Sequence, residues 1–171
     1  MKEGDLFLFF GWFRNTKAKE NGYKYDETDK GGRHVLFGYL QIGEIIHTSE
    51  LQTEVYGWLT NHPHLNKDIY INSYKNTLYL ATEHLSFAPD LSGYGIFKFS
   101  ENLVLTKEGE IKSKWALPDF FKETNISFHK KDSWKDGYFQ SAGRGQEFVM
   151  KATPQIEEWA RDIIRENVAT Q

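Results

Sequence analysis

The sequence of 171 residues contains no cysteine, only four prolines and no long hydrophobic run. The lack of cysteine excludes disulfides, thiolate nucleophiles and Cys-rich zinc or iron–sulfur sites, so any metal site would need His and carboxylate ligands. No stretch approaches the roughly 18 apolar residues of a membrane span, and no N-terminal segment has the pattern of a secretory signal. We therefore expect a cytoplasmic protein without a membrane partner.

Positive charge is also in short supply. The chain has 21 Lys and Arg against 24 Asp and Glu, which gives a formal net charge of -3. Sequence-independent affinity for nucleic acid comes from many Lys and Arg side chains that neutralise phosphates, so this balance argues against a general polyanion-binding protein. A local basic patch is still compatible with it, and residues 98–151 carry a mild excess of basic side chains.

Aromatic residues, in contrast, are abundant, with five Trp, nine Tyr and thirteen Phe making 16% of the chain. Aromatic side chains favour strands and bury large areas, so this content indicates a β-rich core. It is equally compatible with a pocket in which rings stack on a ligand. A chain of this length corresponds to one domain, which we expect to span residues 1–171.

Two apolar stretches predict the main strands of the fold. Residues 4–14 read GDLFLFFGWFR and residues 34–46 read HVLFGYLQIGEII, and glycine interrupts both. Glycine inside a strand marks a bulge or a bend, which curls a sheet. The first stretch is apolar on both faces, which is typical of a central strand. We predict an α+β fold in which a strongly bent, partly closed β-barrel carries peripheral helices.

Three further segments complete the predicted architecture. Residues 15–33 are polar and aperiodic, which predicts a long flexible loop. Residues 49–60 begin with a capping box and continue with helical apolar spacing, which predicts a short amphipathic helix. Thr153 and Pro154 open a C-terminal amphipathic helix over residues 153–166. Short strands are also expected at residues 69–71, 77–81, 95–99, 103–105, 138–141 and 146–150.

Several motifs occur in the order found in one known family. They are GDLFLFFGWFR, HVLFGYLQIGEII, HPHL, NTLYLA, GYGIFKFSENLVLT, KWALPDFF and SAGRGQEFV. Together they resemble the third of the nucleotide-modification-associated domain families, a prokaryotic and phage group placed by its gene neighbourhoods near enzymes of nucleic-acid modification. The resemblance runs from Gly4 to about Ile164. It implies a role in nucleic-acid modification or defence.

The same resemblance carries two further expectations. Family members have a segment before the GDLFLFF motif, and this chain starts almost at that motif, so a strand or a catalytic residue is expected to be missing here or supplied elsewhere. More distantly, the two main strand stretches are similar to those of the PUA-like superfamily, which includes EVE, ASCH and YTH domains. That similarity implies a PUA-like curved barrel that holds a nucleobase in an aromatic pocket.

The segment GRGQE is the candidate for reading a base. Arg144, Gln146 and Glu147 supply donors and acceptors of the kind that recognise the polar edge of a flipped base, and the flanking glycines let the backbone approach closely. The alternative is a tight turn with an exposed arginine. Ser141 lies just before this segment and is assigned to the same ligand-binding set.

Aromatic and cationic side chains elsewhere are candidates for the walls of the pocket. Trp12, Arg14, Trp115 and Trp134 have faces that stack on bases or cations, with packing in the core as the alternative role for each. No metal or cofactor is expected. The His62-Pro63-His64 run lacks zinc-like spacing, and the chain has no P-loop and no dinucleotide fingerprint.

Three functional hypotheses of different classes follow. The first is binding of a nucleobase or nucleotide, expected to be modified, in an aromatic pocket, with a nucleotide or nucleic acid as the partner. The second is an enzyme that modifies or hydrolyses a nucleotide or nucleobase, with Glu147 or His129 as the acid or base. The third is a phage or defence protein that acts through protein contacts and exposes a large apolar patch.

Overall fold

The computed structural model describes residues 1–50, 56–65, 73, 75–142 and 147–169. Within these ranges the strands, numbered in chain order, are Leu6–Phe13 (β1), Thr16–Lys19 (β2), Gly22–Tyr25 (β3), Arg33–His47 (β4), Thr77–Ala81 (β5), His84–Leu85 (β6), Ala88–Ser92 (β7), Tyr94–Ile96 (β8), Lys114–Trp115 (β9), Trp134–Lys135 (β10) and Tyr138–Gln140 (β11). The α-helix Pro154–Asn167 (α1) follows. Short 3-10 helices lie at Thr48–Glu50, Gly57–Leu59, Pro63–Leu65, Glu101–Leu103, Asp119–Glu123 and Lys131–Ser133.

The main sheet is built around β4, a strand of 15 residues rich in aliphatic and aromatic side chains. The strand order is β1-β4-β5, and β8 also pairs with β4. The pairing with β5 is antiparallel and shifts register between Ile42 and Glu44. Gly43 lies at this bulge because a Cβ there would come within 2.9 Å of the backbone nitrogen of Thr82. The prediction that glycine marks a bulge in this strand is therefore confirmed at Gly43.

The sheets do not close into a barrel within the described residues, and this part of the prediction is corrected. β1 and β5 lie at opposite ends of the order in the main sheet, while the other strands form small separate sheets with the orders β10-β11-β9, β2-β3 and β6-β7. The fold is mostly β with one C-terminal helix. β1 is apolar on both faces although it is an edge strand, because Phe10 packs in the core while Phe9 and Phe13 remain exposed.

Contacts divide the chain into two compact units. Unit 1 comprises Met1–Phe7 and Tyr39–Gly95, and unit 2 comprises Leu8–Gly38 and Ile96–Gln171. β1 and β4 each contribute residues to both units. The single domain expected over the whole chain stays a prediction.

The buried Gln41 organises the described part of unit 1. Its Nε2 donates to the carbonyl oxygen of Gly4 at 3.1 Å and to Oγ of Ser86 at 2.9 Å, while its Oε1 accepts from the backbone nitrogen of Ser86 at 2.7 Å. A buried amide is costly unless its donors and acceptors are paired, and here they are. The side chain thus ties the N-terminal turn and the β6-β7 hairpin to β4.

Unit 2 contains an apolar core and the helix. The side chain of Thr153 accepts a hydrogen bond from the backbone nitrogen of Ile156 at 3.4 Å, and Pro154 opens the helix. The C-terminal helix is therefore confirmed. Its buried face consists of Ile156, Ala160, Ile163, Ile164 and Asn167. The buried core cluster of the unit consists of Val35, Leu36, Leu103, Leu105, Trp115, Ile126, Phe139 and Ile163.

The end of α1 holds the segment that follows β8. The backbone nitrogen of Lys98 donates to the carbonyl oxygen of Asn167 at 2.8 Å, and that of Ala169 donates to Ile96 at 3.1 Å. The backbone nitrogen of Phe97 donates to the carbonyl oxygen of Phe37 in β4 at 2.9 Å. Segment 96–98 is therefore fixed between β4 and the helix end.

The remaining predictions of secondary structure agree with the structure only in part. Residues 15–33, expected to lack regular structure, contain the hairpin β2-β3, while β5 spans the predicted 77–81. Residues 51–55 of the predicted helix over 49–60 lie outside the described residues, as does the predicted strand 69–71. Residues 147–150 have no strand, and Gln146 is not described. No helix in the described part of the chain has both the length and the apolarity needed to cross a lipid bilayer.

Candidate functional site

A cleft of about 300 Å3 opens on unit 2 where β1 ends, β4 begins and the segment after β8 passes. We call it the aromatic cleft. Its floor includes Val35 and Leu36, which also belong to the buried core of the unit. The cleft therefore has a rigid apolar base, on which less buried side chains stand. Its lining consists of Phe13, Arg14, Asn15, Arg33, Val35, Leu36, Phe37, Phe97 and Phe99.

Phenyl rings form much of the cleft wall. Phe37 stacks on Phe9 with ring centroids 6.0 Å apart, and Phe13 meets Phe37 edge-on at the same distance. Phe13, Phe37 and Phe99 are 45%, 43% and 60% exposed. Large apolar side chains exposed as a group on a soluble protein mark a place where a ligand or a partner binds.

Arg14 is held at one side of the cleft by three interactions. Its Nε donates to the carbonyl oxygen of Asp29 at 2.7 Å, and one terminal nitrogen donates to that of Asp26 at 3.4 Å. Its guanidinium carbon lies 4.5 Å from the ring centroid of Tyr25 in β3. A guanidinium group has five N–H donors. The hydrogen bonds of Arg14 seen in the described residues do not use all of them, so further donors are available to a ligand.

Arg33, the second arginine of the cleft, is positioned by the turn between β3 and β4. One of its terminal nitrogens donates to Oδ1 of Asn15 at 2.6 Å and lies 4.0 Å from a carboxylate oxygen of Asp29. That carboxylate also accepts from the backbone nitrogens of Asn15 at 2.6 Å and Gly32 at 3.1 Å. Asp29 therefore contacts Arg14 through its carbonyl oxygen and Arg33 through its carboxylate, which fixes the two arginines relative to each other.

Asp26 closes the same turn. Its carboxylate accepts hydrogen bonds from the hydroxyl and the backbone nitrogen of Thr28 and pairs with Lys17 at 3.0 Å. These contacts lower the pKa of Asp26 to about 2, and the hydrogen bond from the Thr28 hydroxyl contributes most to the shift. The carboxylate is therefore ionised across the physiological range, and the turn keeps its hydrogen bonds there.

Trp12 lies beside this turn and is half exposed. Its Nε1 donates to the carbonyl oxygen of Gly31 at 2.8 Å, and Nζ of Lys112 lies 4.4 Å from the centroid of its ring. Trp12 and Arg14 thus both contact this turn, but only Arg14 lines the cleft, and the assignment of Trp12 to a ligand stays a prediction.

Trp115 is buried in the core, 5% exposed, instead of lying at a pocket wall. Its Nε1 donates both to Nδ1 of His34 at 3.0 Å and to the carbonyl oxygen of Lys112 at 3.1 Å. Since Nδ1 of His34 accepts, the proton of this neutral imidazole is on Nε2. Burial, and then the nearby charge of Lys112, lower the pKa of His34. This pair stabilises the core under the cleft.

The predicted base-reading segment is only partly described. Arg144 and Gln146 lie outside the described residues, and Glu147 is exposed. Ser141 is buried, and its backbone nitrogen donates to the carbonyl oxygen of Ser113 at 2.8 Å. Of the described members of this set, neither Ser141 nor Glu147 lines the aromatic cleft, and the assignment of the segment to a ligand stays a prediction.

His129 lies close to the described end of this segment. Its ring centroid is 4.6 Å from that of Phe148 and 4.8 Å from that of Phe139. Nδ1 is 2.9 Å from the carbonyl oxygen of Ser127 and must donate to it, since a carbonyl only accepts. Nε2 is buried without a hydrogen-bond partner among the described residues.

The remaining predicted residues have structural partners. Trp134 packs on Phe139 with centroids 4.8 Å apart. Nδ1 of His64 lies 2.7 Å from Oδ1 of Asn76 and so has a partner of its own. Within the described residues, no group of three or more His, Asp or Glu side chains is arranged to hold a metal ion.

Sequence reasoning missed most of the cleft. Arg33, Phe37 and Phe99 were not singled out, because residues 33–37 and 97–99 come together only through the pairing of β4 with the segment after β8. One signal was present in the sequence. Phe97 and Phe99 alternate with polar residues, and an alternating segment with aromatic residues at two positions indicates a face that rests on a neighbour.

Comparison with known protein families gives a match over most of the chain. Residues 1–151 match the family described as nucleotide modification associated domain 3. No curated protein and no solved structure gives a significant match. The matched range includes every residue that lines the aromatic cleft and ends before α1.

Proposed function

Because this chain belongs to the nucleotide modification associated domain 3 family, we propose that its aromatic cleft binds a nucleobase or nucleotide, with a modified base as the expected target. The observation that carries the proposal is the combination of exposed phenyl rings and two arginines in one cleft. The protein is then a reader of modified bases in a prokaryotic or phage modification or defence system.

The size and chemistry of the cleft support this assignment. A volume of about 300 Å3 is at the small end of ligand sites, which span roughly 300–1,000 Å3, and suits one base with its sugar better than a dinucleotide. Stacking of a base on an aromatic ring contributes ~1–3 kcal/mol and tolerates any base. The rings therefore supply affinity, and polar groups must supply selectivity.

The arginines are suited to the polar half of the ligand. A guanidinium group donates two parallel hydrogen bonds to a phosphate or to the O6 and N7 edge of guanine. Arg14 and Arg33 are held by the same Asp29, so their positions are set before the ligand arrives. A pre-ordered site loses less entropy on binding.

Calorimetric titration tests the proposal. The ligands are the nucleoside monophosphates and their base-methylated and base-hydroxymethylated derivatives. Phe99→Ala removes a phenyl ring that is 60% exposed, so the fold should be retained. We expect at least one ligand to bind, and the variant to bind it about 5- to 150-fold more weakly, as the loss of one stacked base requires.

Phe128→Ala is the matched control. Phe128 is 80% exposed and does not line the cleft, so its loss should leave the affinity unchanged. The assignment is wrong if Phe99→Ala binds as tightly as the parent protein, or if the control loses as much affinity.

The orientation of His129 favours a second candidate function, turnover of a nucleotide. Its Nδ1 is held by the carbonyl oxygen of Ser127, so Nε2 is the ring nitrogen left to exchange a proton with a ligand, as a general acid or base must. Glu147 directly precedes Phe148, and the ring of Phe148 contacts that of His129. The sequence predicts Glu147 or His129 as the acid or base of such an enzyme.

This second candidate predicts chemical change of the ligand. Nucleoside monophosphates and triphosphates are incubated with the protein, and the products are separated by chromatography. Turnover that is lost in both His129→Gln and Glu147→Gln, with the melting temperature retained, supports the enzyme. Ligand that binds and is recovered intact supports the reader.

A further inference from the structure

The hairpin β2-β3 has two chemically different faces. Residues opposite each other in an antiparallel pair share a face, and the register pairs Lys17 with Lys24, Ala18 with Tyr23 and Thr16 with Tyr25. Tyr23 and Tyr25 therefore lie on one face. The other face carries Lys17 and Lys24, together with Lys19, which is two positions beyond Lys17 on the same strand. Every residue of both strands is exposed.

The packing of the protein does not explain these side chains. Tyr23 and Tyr25 are 75% and 62% exposed, so they contribute little to a core. Like charges placed directly opposite each other, as Lys17 and Lys24 are, destabilise a hairpin, and Asp26 compensates only Lys17, at 3.0 Å. Exposed rings on one face and uncompensated ammonium groups on the other indicate an anionic ligand with stacking groups.

The tyrosine face continues into the aromatic cleft. The guanidinium group of Arg14 lies over the ring of Tyr25 at 4.5 Å, and Arg14 also lines the cleft. Tyr23 and Tyr25 are two positions apart on a strand, so their side chains are separated by about 6.8 Å along it. That spacing exceeds the ~3.4 Å rise per nucleotide of a stacked DNA strand, so the two rings can meet neighbouring bases of a strand that is extended and unstacked.

From this geometry we infer that the hairpin binds a single-stranded polynucleotide next to the base held in the cleft. The inference rests on the proposed function and deepens it, because the ligand is then a base within a strand instead of a free nucleotide. The strand follows the edge of the hairpin, so its bases turn to the tyrosines on one face while its phosphates meet Lys19 and Lys24, whose long side chains can extend to that edge from the other face. The formal charge of -3 is compatible with this, because three lysines are concentrated in the two strands of this hairpin.

The test compares a fluorescent single strand of about twelve nucleotides, as DNA and as RNA, with the nucleoside monophosphates. Affinity for the strand is measured by anisotropy over a range of salt concentrations. Tyr23→Ala should weaken binding of the strand about 5- to 150-fold, as loss of one stacked base requires. Lys19→Gln together with Lys24→Gln should lower the salt slope by about 1.4, since each phosphate contact of a single strand contributes ~0.7.

Two controls separate the hairpin from the rest of the protein. Both hairpin variants should bind monophosphates as tightly as the parent protein. Lys131→Gln together with Lys135→Gln removes two exposed lysines elsewhere on unit 2 and should leave the salt slope unchanged. A higher affinity for the DNA or the RNA strand identifies which polymer the surface fits.

Failure of this inference differs from failure of the cleft proposal. If the hairpin variants bind the strand with unchanged affinity and salt slope, or if duplex DNA binds as tightly as the strand, the inference about the hairpin is wrong. If instead they weaken the strand as expected while Phe99→Ala has no effect on any ligand, the hairpin inference stands and the cleft is wrong.

Discussion

Gly32 is the backbone position on which the aromatic cleft depends most, and its substitution gives a quantitative test. Gly32 has φ of +59°, in the left-handed region. A Cβ there would lie 2.5 Å from the carbonyl oxygen of Phe13, 2.3 Å from Nε1 of Trp12 and 2.8 Å from Cγ of Arg14. Backbone and two site side chains must therefore move in Gly32→Ala.

The expected cost has two parts. Left-handed backbone costs an L-residue roughly 1–2 kcal/mol, and overpacking against atoms that cannot rotate away costs ~1–3 kcal/mol. Gly109→Ala is the matched control, because Gly109 has φ of +73° and a Cβ there meets nothing within 4 Å. The control carries only the first part. Both variants gain up to ~1 kcal/mol from a less flexible unfolded chain, which cancels in the comparison.

The assay is unfolding in urea, supported by the melting temperature. Gly32→Ala should be less stable than Gly109→Ala by ~1–3 kcal/mol, or by roughly 2–12 °C at ~2–4 °C per kcal/mol for a chain of this size. It should also bind nucleotides more weakly, because Arg14 is displaced. Equal stability of the two variants would refute the account of the turn that fixes the cleft.

Three further predictions concern the core and the helix. The pKa of His34 is lowered in the folded protein, so the unfolded chain takes up the proton first as the pH falls. The parent protein should therefore lose stability below pH 6.5, the ordinary pKa of histidine. His34→Phe should remove this part of the pH dependence in urea titrations from pH 7 to 5. Leu103→Ala should cost ~2–5 kcal/mol in urea unfolding, since Leu103 is 0% exposed; a cost below 1 kcal/mol would contradict its place in the core. Thr153→Ala should cost about 0.5–1 kcal/mol, at the low end for a helix cap because its hydrogen bond is 3.4 Å long, whereas Thr153→Ser should cost less by the same assay.

Local signals in the sequence were enough for the helix and for the long strand. Thr153 and Pro154 start a helix by their own chemistry, and the apolar stripe behind them repeats every 3.6 residues. β4 was predicted because its apolar content and its glycines are features of a single stretch. Gly43 lies at the bulge for a reason that the sequence also indicated.

The closure of the sheet could not be predicted from the same signals. β1 is apolar on both faces, which is typical of a central strand, yet one of its faces carries exposed rings of the cleft wall. Sequence does not distinguish a face covered by protein from one left for a ligand. For the same reason the sequence made Trp115 a candidate for a pocket wall, although its indole is buried and hydrogen-bonded to His34.

The hairpin β2-β3 was missed because no apolar alternation marks it. In its register Lys17 lies opposite Lys24, and the turn after it is held by Asp26 and Asp29, whose carboxylates accept hydrogen bonds from main-chain nitrogens. These side chains compensate for the lack of a buried face. Arg14 was a candidate because it ends an aromatic strand, whereas Arg33 comes near it through its contacts with Asn15 and Asp29, which the sequence does not indicate.

The most direct test of the central claim is to locate the ligand on the protein. The protein is labelled with 13C in its phenylalanine rings, and ring signals are recorded by NMR while the tightest-binding nucleoside monophosphate of the calorimetric panel is added. The account predicts that the signals of Phe13, Phe37, Phe97 and Phe99 shift with the same saturation curve, while that of Phe128 does not. Shifts confined to Phe139 and Phe148 around His129, or no shift at saturating ligand, would contradict it.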